Sequence, residues 1–212
     1  MSIRIVVIDG TGPGATQEYN QAMATSFCTQ TAAALPNVRY YRGPTLMGME
    51  TDAIAAQAFQ ACSTGVQEGD RLVLAGYSRG GCAAILTAKR LKDAGRTVDS
   101  LFLFDAVDMQ FSNAGLCQVI PDNVRYVAHA RTARDLGFWV RNPIRSRFYF
   151  FNTGRWLAGT GTYTERFFVG THAAVGGVPW SDLKGDGGCA QAVAEWMTRQ
   201  LNLRGVPVQL RA

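Results

Sequence analysis

No apolar run in the sequence approaches the roughly 20 residues that a membrane-spanning helix requires, so we expect no transmembrane segment. The five cysteines are odd in number, widely spaced and without a CxxC pair, which argues against a disulfide framework and against a zinc site. We interpret them as buried, reduced thiols. The sequence therefore implies no metal and no organic cofactor.

The chain also leaves little space for a signal peptide, because a strand-like stretch from Ile3 to Ile8 begins almost at its first residue. The predicted location is cytoplasmic, with signal-less export as the alternative. Peripheral contact with a membrane surface is compatible with this interpretation.

Lysine is scarce, with three residues in the whole chain, and the net charge of +5 is concentrated in one segment. Eight arginines lie between Arg125 and Arg166, against two acidic residues, and large aromatic rings are interleaved with them. We interpret residues 135–163 as a cap or lid whose rings bind an acyl chain, with Trp139, Phe150 and Trp156 as the candidate substrate-binding side chains. The alternative is that this segment packs against the domain, with its rings in the core and its arginines exposed to solvent. The few lysines and the lack of a recognised binding module argue against nucleic acid as a partner.

Short β-branched or aromatic runs alternate with alanine-rich stretches of helical length, which indicates a mostly parallel sheet with helices on both faces. We predict one α/β domain over residues 1–212. Strands are predicted at residues 3–8, 37–41, 71–76, 100–104, 123–129 and 166–170, with a further hairpin around 146–151. Helices are predicted at about 16–34, 51–66, 79–95 and 188–201.

The pentapeptide GYSRG, from Gly76 to Gly80, lies between an apolar strand and a predicted helix and fits the G-x-S-x-G pattern of a nucleophile elbow. In such an elbow the serine occupies a strained turn, and small residues on either side let strand and helix backbones approach closely. We predict that Ser78 is a nucleophile at the carboxyl edge of the sheet. A tight turn with an inert serine is the alternative.

A serine hydroxyl needs a base to accept its proton, and the chain contains two histidines, His129 and His172. His172 lies just beyond a predicted strand, in a glycine-rich loop that can bring its ring over the sheet edge, and it is the predicted base. His129 ends an earlier strand. We interpret His129 as a residue that supports the site through hydrogen bonds. Its alternative role is that of the general base.

The imidazole in turn needs a carboxylate that orients it and stabilises its cation. Asp105 directly ends the apolar strand at 100–104 and is the predicted acid, with Asp135 as the first alternative. Asp108 and Asp122 also lie between the serine and His172. Each of these aspartates, taken alone, is equally compatible with a solvated loop carboxylate or a helix cap.

A glycine-rich turn, DGTGPG, follows the first strand and can direct backbone N–H groups at one point. We predict Gly10 and Thr11 as oxyanion donors, together with the N–H of Arg79 that follows the serine. A phosphate-binding loop is the weaker interpretation, because the turn lacks the Walker lysine and the dinucleotide spacing.

Four segments, IVVIDGTG, GDRLVLAGYSRGG, LFLFDAVD and FFVGTHAAVGG, follow one another in the order strand-DGT, elbow, strand-aspartate and histidine loop. In this order they resemble the α/β-hydrolase family DUF2235, which includes the Tle1-type phospholipase effectors of bacterial type VI secretion. The resemblance implies an α/β-hydrolase fold with Ser78 as nucleophile, Asp105 as acid and His172 as base. It also implies that the loop from Asp9 to Thr11 lies beside the oxyanion site.

We therefore predict a serine hydrolase that cleaves carboxylic esters, with esterase, lipase or phospholipase character, through an acyl-enzyme. The expected substrate is a small-molecule or lipid ester. One alternative is an acyltransferase with the same triad, and another is a non-catalytic binding protein on a hydrolase scaffold. A reactive regulatory thiol at Cys82, near the start of the elbow helix, is a further hypothesis.

Overall fold

A parallel sheet of six strands forms the centre of this computed structural model, which describes residues 2–46, 49–64, 69–135 and 150–212, with backbone alone for 134 and 135. Over these residues the strands are β1 (Ile3–Ile8), β2 (Val38–Tyr41), β3 (Arg71–Tyr77), β4 (Ser100–Phe104), β5 (Val107–Asp108), β6 (Val119–Ile120), β7 (Tyr126–Asp135), β8 (Phe151–Asn152), β9 (Trp156–Leu157) and β10 (Thr162–Gly170). The central sheet has the order β10-β7-β4-β3-β1-β2, and all its neighbouring pairs are parallel.

Helices cover both faces of this sheet, as the alternating pattern predicted. They are α1 (Thr16–Ala22), α2 (Phe27–Ala34), α3 (Thr51–Ser63), α4 (Arg79–Asp93), α5 (Phe111–Leu116), α6 (His172–Val175) and α7 (Asp186–Leu203). The single-domain α/β-hydrolase fold with a parallel central sheet is thus confirmed.

The two faces of β1 show how the sequence builds two apolar layers. Ile5 and Val7 pack in one buried cluster with residues of α2, α6 and α7, whereas Val6 and Ile8 pack in the other with α3 and α4. Successive side chains of a strand point to opposite faces, so a strand that is buried on both faces reads as a continuous apolar run.

The predicted helix at 16–34 is two helices, with a break from Met23 to Ser26. Ser26 is the N-cap of α2, since its hydroxyl oxygen accepts a hydrogen bond from the Thr29 amide at 2.9 Å. The same hydroxyl donates to Asp9 at the end of β1. No glycine or proline marks this break, and a contact distant in sequence fixes it.

The strand order places the ends of β1 and β3 side by side, where the chain changes direction across the sheet. The connection from β1 leads outward to β2, whereas the chain continues from β3 to β4 on the other side. At such a switch point the connections diverge and leave a crevice at the carboxyl ends of the strands. Here the crevice lies between the loop after Ile8 and the turn after Tyr77, which face each other in register.

The segment predicted as a cap, at about 135–163, is described from residue 150 onward. There β8 pairs antiparallel with β5, and β9 pairs in parallel with β6. The remaining part, with Trp139 and most of the predicted hairpin at 146–151, lies outside the described residues. In the part of the chain that the structure covers, no helix combines the length and the apolar character needed to cross a bilayer.

Candidate active site

Ser78 sits in a strained turn between β3 and α4. Its backbone has φ +57° and ψ −128°, a conformation that a non-glycine residue rarely adopts. The turn is held by the Ser78 amide, which donates to the Phe104 carbonyl at 3.0 Å, and by the Ser78 carbonyl, which accepts from the Val107 amide at 3.1 Å. These bonds tie the turn to the end of β4.

The glycines that flank Ser78 are required by close backbone contacts, as the elbow pattern predicts. A Cβ on Gly76 would lie 2.5 Å from the Gly80 carbonyl oxygen. A Cβ on Gly80 would collide with the carbonyl oxygens of Ile8 and Asp9. The elbow therefore presses helix α4 directly against the end of β1.

Three side chains form a continuous hydrogen-bonded chain at the carboxyl edge of the sheet. Ser78 Oγ lies 2.8 Å from His172 Nε2, and His172 Nδ1 lies 2.7 Å from Asp105 Oδ2. Asp105 is buried and the His172 side chain is 13% exposed, so the acid is shielded from water while the ring remains partly accessible. With Nδ1–H donating to the carboxylate, Nε2 is left to accept the serine proton.

Asp105 is fixed from several sides. It has a positive φ of 43° at the end of β4, and its amide donates to the Ala130 carbonyl at 2.7 Å. Thr132 donates from its amide to Oδ1 at 3.2 Å and from its hydroxyl to Oδ2 at 2.6 Å. Because Thr132 bonds to both oxygens, the carboxylate is held in one orientation, with Oδ2 facing His172.

The other candidate acids lie in different surroundings. Asp108 is fully buried and pairs with the Arg79 guanidinium at 3.2 Å. Asp122 pairs with Lys92 at the surface. Asp135 ends β7 opposite Gly170, and its side chain lies outside the described residues.

His129 is fully buried and supports the turn that carries Asp105. Its Nε2 accepts from the Ala106 amide at 3.2 Å, so Nδ1 carries the proton and donates to the Gly154 carbonyl at 3.1 Å. Both ring nitrogens are therefore engaged by the backbone, which agrees with a supporting residue.

The loop that carries His172 is held by Asp186, a residue that the sequence analysis missed. The fully buried Asp186 carboxylate accepts from the Thr171 amide, the Thr171 hydroxyl and the Trp180 amide, each at 2.8 Å. Thr171 in turn caps the short helix α6 by accepting from the Ala174 amide at 3.0 Å. The only available signal was an acidic residue at the start of the last helix.

Two aromatic rings lie close to the imidazole. The Tyr77 ring is centred 5.2 Å from the His172 ring, and the Phe150 ring is stacked at 6.3 Å. Trp156, the other described substrate-binding candidate, is half exposed and lies beneath the Arg155 guanidinium. Of the predicted aromatic set, the structure thus places Phe150 beside the site.

The loop after β1 is anchored by the buried carboxylate of Asp9. Burial raises the pKa of Asp9, although its oxygens accept hydrogen bonds from the Gly10 amide at 2.8 Å, from Tyr40 at 2.9 Å and from Ser26 and Thr29. The Gly10 amide is thereby engaged. Thr11 follows it, and the Thr11 hydroxyl is buried with no hydrogen-bond partner in the described structure.

Arg79, the first residue of α4, contributes to the site through its backbone and to the fold through its side chain. Its amide lies at the helix N-terminus directly after Ser78, where peptide dipoles favour negative charge. Its buried guanidinium donates to Asp108 at 3.2 Å and to the Thr45 carbonyl at 3.0 Å. The side chain thus ties the loop before α3 to β5.

An open cleft of about 620 Å³ lies next to these residues. The described residues that line it are mostly apolar, and none of them is charged: Thr11, Gly12, Pro13, Ala22, Met23, Thr25, Leu46, Tyr77, Ala173, Val178, Pro179 and Trp180. Two of these lining residues, Tyr77 and Ala173, are the chain neighbours of Ser78 and His172. Trp180 was not among the predicted substrate-binding residues.

The cysteines are buried throughout the structure. For Cys82, a side-chain hydrogen bond with Cys117 and then burial raise the pKa of the thiol well above its ordinary value. The hypothesis of a thiol activated by the helix N-terminus is therefore wrong. In the described ranges, no three His, Cys, Asp or Glu side chains cluster closely enough to hold a metal ion.

A parallel sheet, a serine on a strained elbow and a histidine bridging it to a buried aspartate define the chain as an α/β-hydrolase. Residues 5–117 match the model of the Thioesterase domain family, a stretch that includes Ser78 and Asp105 and ends before His172. Since this match covers more than half of the 212 residues, the chain belongs to the Thioesterase domain family, and it is a hydrolase.

The chain is similar to solved structures at low sequence identity. An uncharacterised protein from Pseudomonas aeruginosa is 14% identical with a TM-score of 0.57, over 99% of this chain and 47% of that one. RedJ, a thioesterase of prodiginine biosynthesis in Streptomyces coelicolor, is 13% identical with a TM-score of 0.46, over 95% and 86%. YbtT, a type II thioesterase of the yersiniabactin pathway, is 11% identical with a TM-score of 0.45, over 98% and 94%. No curated protein matches the sequence.

The assignment to DUF2235 and its Tle1-type effectors is wrong, because the family that matches is the Thioesterase domain family. The four segments that suggested it contain the loop after β1, the elbow, the aspartate after β4 and the histidine loop. Any hydrolase of this architecture needs these features to assemble its site. They therefore indicated the fold without distinguishing among its families.

Proposed function

We propose that this protein hydrolyses acyl thioesters, with Ser78 as nucleophile, His172 as general base and Asp105 as the carboxylate that orients the imidazole. The observation that carries the proposal is the hydrogen-bonded chain from Ser78 Oγ through His172 to Asp105, with distances of 2.8 and 2.7 Å. Membership in the Thioesterase domain family supports the choice of a thioester.

In the first half of the reaction, Ser78 Oγ attacks the thioester carbonyl carbon while His172 Nε2 takes the hydroxyl proton. The tetrahedral intermediate collapses, the carbon–sulfur bond breaks, and the leaving thiol takes the proton from His172. The acyl group is then bound to Ser78 as an oxygen ester. In the second half, His172 takes a proton from water, the water oxygen attacks the ester, and the carboxylic acid leaves with Ser78 restored.

The oxyanion of each tetrahedral intermediate needs hydrogen-bond donors. We assign the Arg79 amide, at the N-terminus of α4, and the Thr11 amide, in the loop beside the elbow. Gly10 contributes by close packing, since a Cβ at this position would meet the Tyr77 ring, while its own amide donates to Asp9. This assignment refines the predicted set of Gly10, Thr11 and Arg79.

The acyl group enters the cleft that begins at Tyr77 and Ala173. The described part of its lining is mostly apolar and carries no charged side chain, which favours an uncharged acyl chain over a charged one. Phe150 stacks beside His172 and borders the reaction centre, outside the described lining of the cleft. The predicted role of the segment at 135–163 as a cap over this cleft belongs to the same proposal.

Carboxylic oxygen esters are the second candidate substrate class, because the same three side chains can cleave them. A thiol is a better leaving group than an alcohol, since its pKa is near 8.5 rather than near that of water. A matched pair of substrates with one acyl chain, one a thioester and the other an oxygen ester, distinguishes the two classes. We expect the larger kcat/KM for the thioester.

The decisive experiment compares Ser78→Ala and His172→Ala with wild type on this substrate pair. Each variant should lose about 10³-fold or more in kcat. Ser112→Ala, at an exposed position in α5, is the matched control and should retain full activity. A fluorophosphonate should label wild type at Ser78. Undiminished hydrolysis by Ser78→Ala would refute the mechanism, and an absence of both labelling and turnover would favour a binding protein.

An added alcohol or amine tests the acyltransferase alternative with the same variants. The acyl-enzyme then partitions between water and the added acceptor. A hydrolase gives the free acid as its main product. A product that is mainly acylated acceptor at low acceptor concentration would instead indicate a transferase.

A further inference from the structure

The Thr11 hydroxyl is a polar group for which the described residues provide no hydrogen-bond partner. Its oxygen is buried, and no hydrogen bond to it is present in the described structure. Leaving a buried hydroxyl unpaired lowers stability, so most such groups are paired in folded proteins. The surrounding loop makes the contrast clear, because the neighbouring Asp9 carboxylate accepts hydrogen bonds from four different residues.

Thr11 also lies close to the proposed reaction centre. A Cβ on the preceding residue, Gly10, would lie 3.3 Å from the Ser78 Cβ. Thr11 itself lines the cleft together with Tyr77 and Ala173, the neighbours of Ser78 and His172 in the chain. The loop that carries Thr11 thus borders both the nucleophile and the space for the acyl group.

We infer that the Thr11 hydroxyl is a catalytic donor, which hydrogen-bonds to the acyl oxygen when that oxygen becomes negative in the tetrahedral intermediate. None of the described residues forms a hydrogen bond that holds the hydroxyl in its present rotamer, so rotation about χ1 can turn it into the cleft that the residue lines. A donor placed beside developing charge lowers the barrier because it stabilises the transition state more than the ground state. This inference rests on the proposed function and adds a side-chain donor to its two backbone amides.

Removal of the Thr11 hydroxyl should affect stability and catalysis differently: the melting temperature should not fall, whereas kcat should. Thr11→Val replaces the hydroxyl by a methyl group of similar size and leaves the backbone amide in place. It removes an unpaired buried oxygen, so the melting temperature should stay equal to that of wild type or rise. The same change removes a donor from the oxyanion, so kcat should fall.

The experiment measures kcat, KM and melting temperature of Thr11→Val and Thr11→Ser on a short-chain acyl thioester. Thr11→Val should lose about 10²-fold in kcat with KM changed less than about threefold. Thr11→Ser keeps a hydroxyl and should retain kcat within about fivefold of wild type. Thr64→Val, at an exposed position after α3, is the matched control and should behave as wild type.

The outcomes distinguish a failure of the Thr11 inference from a failure of the proposed function. If Ser78→Ala is inactive and Thr11→Val has wild-type kcat, the proposed function stands and the Thr11 inference is overturned. A fall in melting temperature together with kcat for Thr11→Val would assign the hydroxyl a structural role and would overturn the inference as well. If Ser78→Ala stays active, the proposed function itself fails.

Discussion

Replacement of Asp186 by asparagine tests whether one buried carboxylate positions the loop that carries His172. Its Oδ1 accepts from the Thr171 amide, and its Oδ2 accepts from the Thr171 hydroxyl and the Trp180 amide. An asparagine has one acceptor oxygen, so its NH2 group must face one of these donors. The substitution keeps the size of the side chain and changes only its charge and hydrogen bonding.

The magnitude follows from the hydrogen bonds that are lost. A hydrogen bond to a charged group contributes about 1.5–3 kcal/mol, and the donor left without an acceptor adds a desolvation cost. We expect Asp186→Asn to lower the free energy of unfolding by about 2–4 kcal/mol. For a chain of this length that corresponds to a decrease in melting temperature of about 5–15 °C.

Catalysis should decrease in parallel, because Thr171 directly precedes His172. Thermal unfolding gives the stability, and kcat is measured well below the melting temperature of the variant. The control is Asp52→Asn, since the Asp52 side chain is 59% exposed and pairs with Arg90 at the surface. Surface pairs of this kind contribute about 0–1 kcal/mol, so the control should unfold almost as wild type.

Two results would contradict this reasoning. If Asp186→Asn unfolds at the wild-type temperature, the three hydrogen bonds do not hold the loop. If it is destabilised but retains wild-type kcat at low temperature, the loop is stabilised by Asp186 without being positioned by it.

Two further predictions concern the loop after β1 and the elbow. Burial raises the pKa of Asp9 above its usual 3.8, so the folded protein holds this proton more tightly than the unfolded chain. The free energy of unfolding of wild type should therefore fall relative to that of Asp9→Asn as the pH rises from about 4 through the raised pKa. Urea unfolding at a series of pH values measures this difference, and a difference that does not depend on pH would contradict the prediction. Gly80→Ala should lose more than about 3 kcal/mol of stability, because its Cβ meets two backbone carbonyls. Gly115→Ala, where a Cβ meets nothing, should be neutral or gain about 0.5 kcal/mol in the same assay, and similar losses for both would refute the steric argument.

The sequence was sufficient to predict features that depend on local pattern. Continuous apolar runs predicted the parallel strands, because both faces of the sheet are covered by helices. The glycines around Ser78 predicted the elbow, since the backbone contacts at Gly76 and Gly80 permit no side chain. The position of Asp105 directly after an apolar strand predicted where the structure would place a carboxylate for His172.

Features that depend on contacts distant in sequence were not predictable in this way. Asp186 holds Thr171 through a loop that no periodicity describes. The break between α1 and α2 depends on Ser26 reaching Asp9. Trp180 lines the cleft, whereas the rings chosen from the arginine-rich segment do not line it among the described residues. In each case the decisive partner lies on a different element of the fold.

Among the described strands, β10, which leads to His172, lies at one border of the central sheet and pairs with β7 alone. Border strands fray before central ones, and such partial opening requires less free energy than unfolding of the whole domain. Fraying at β10 would carry the imidazole away from the serine while the five other strands stay paired. On heating, the protein would then lose its catalytic activity at a lower temperature than the one at which the whole domain unfolds.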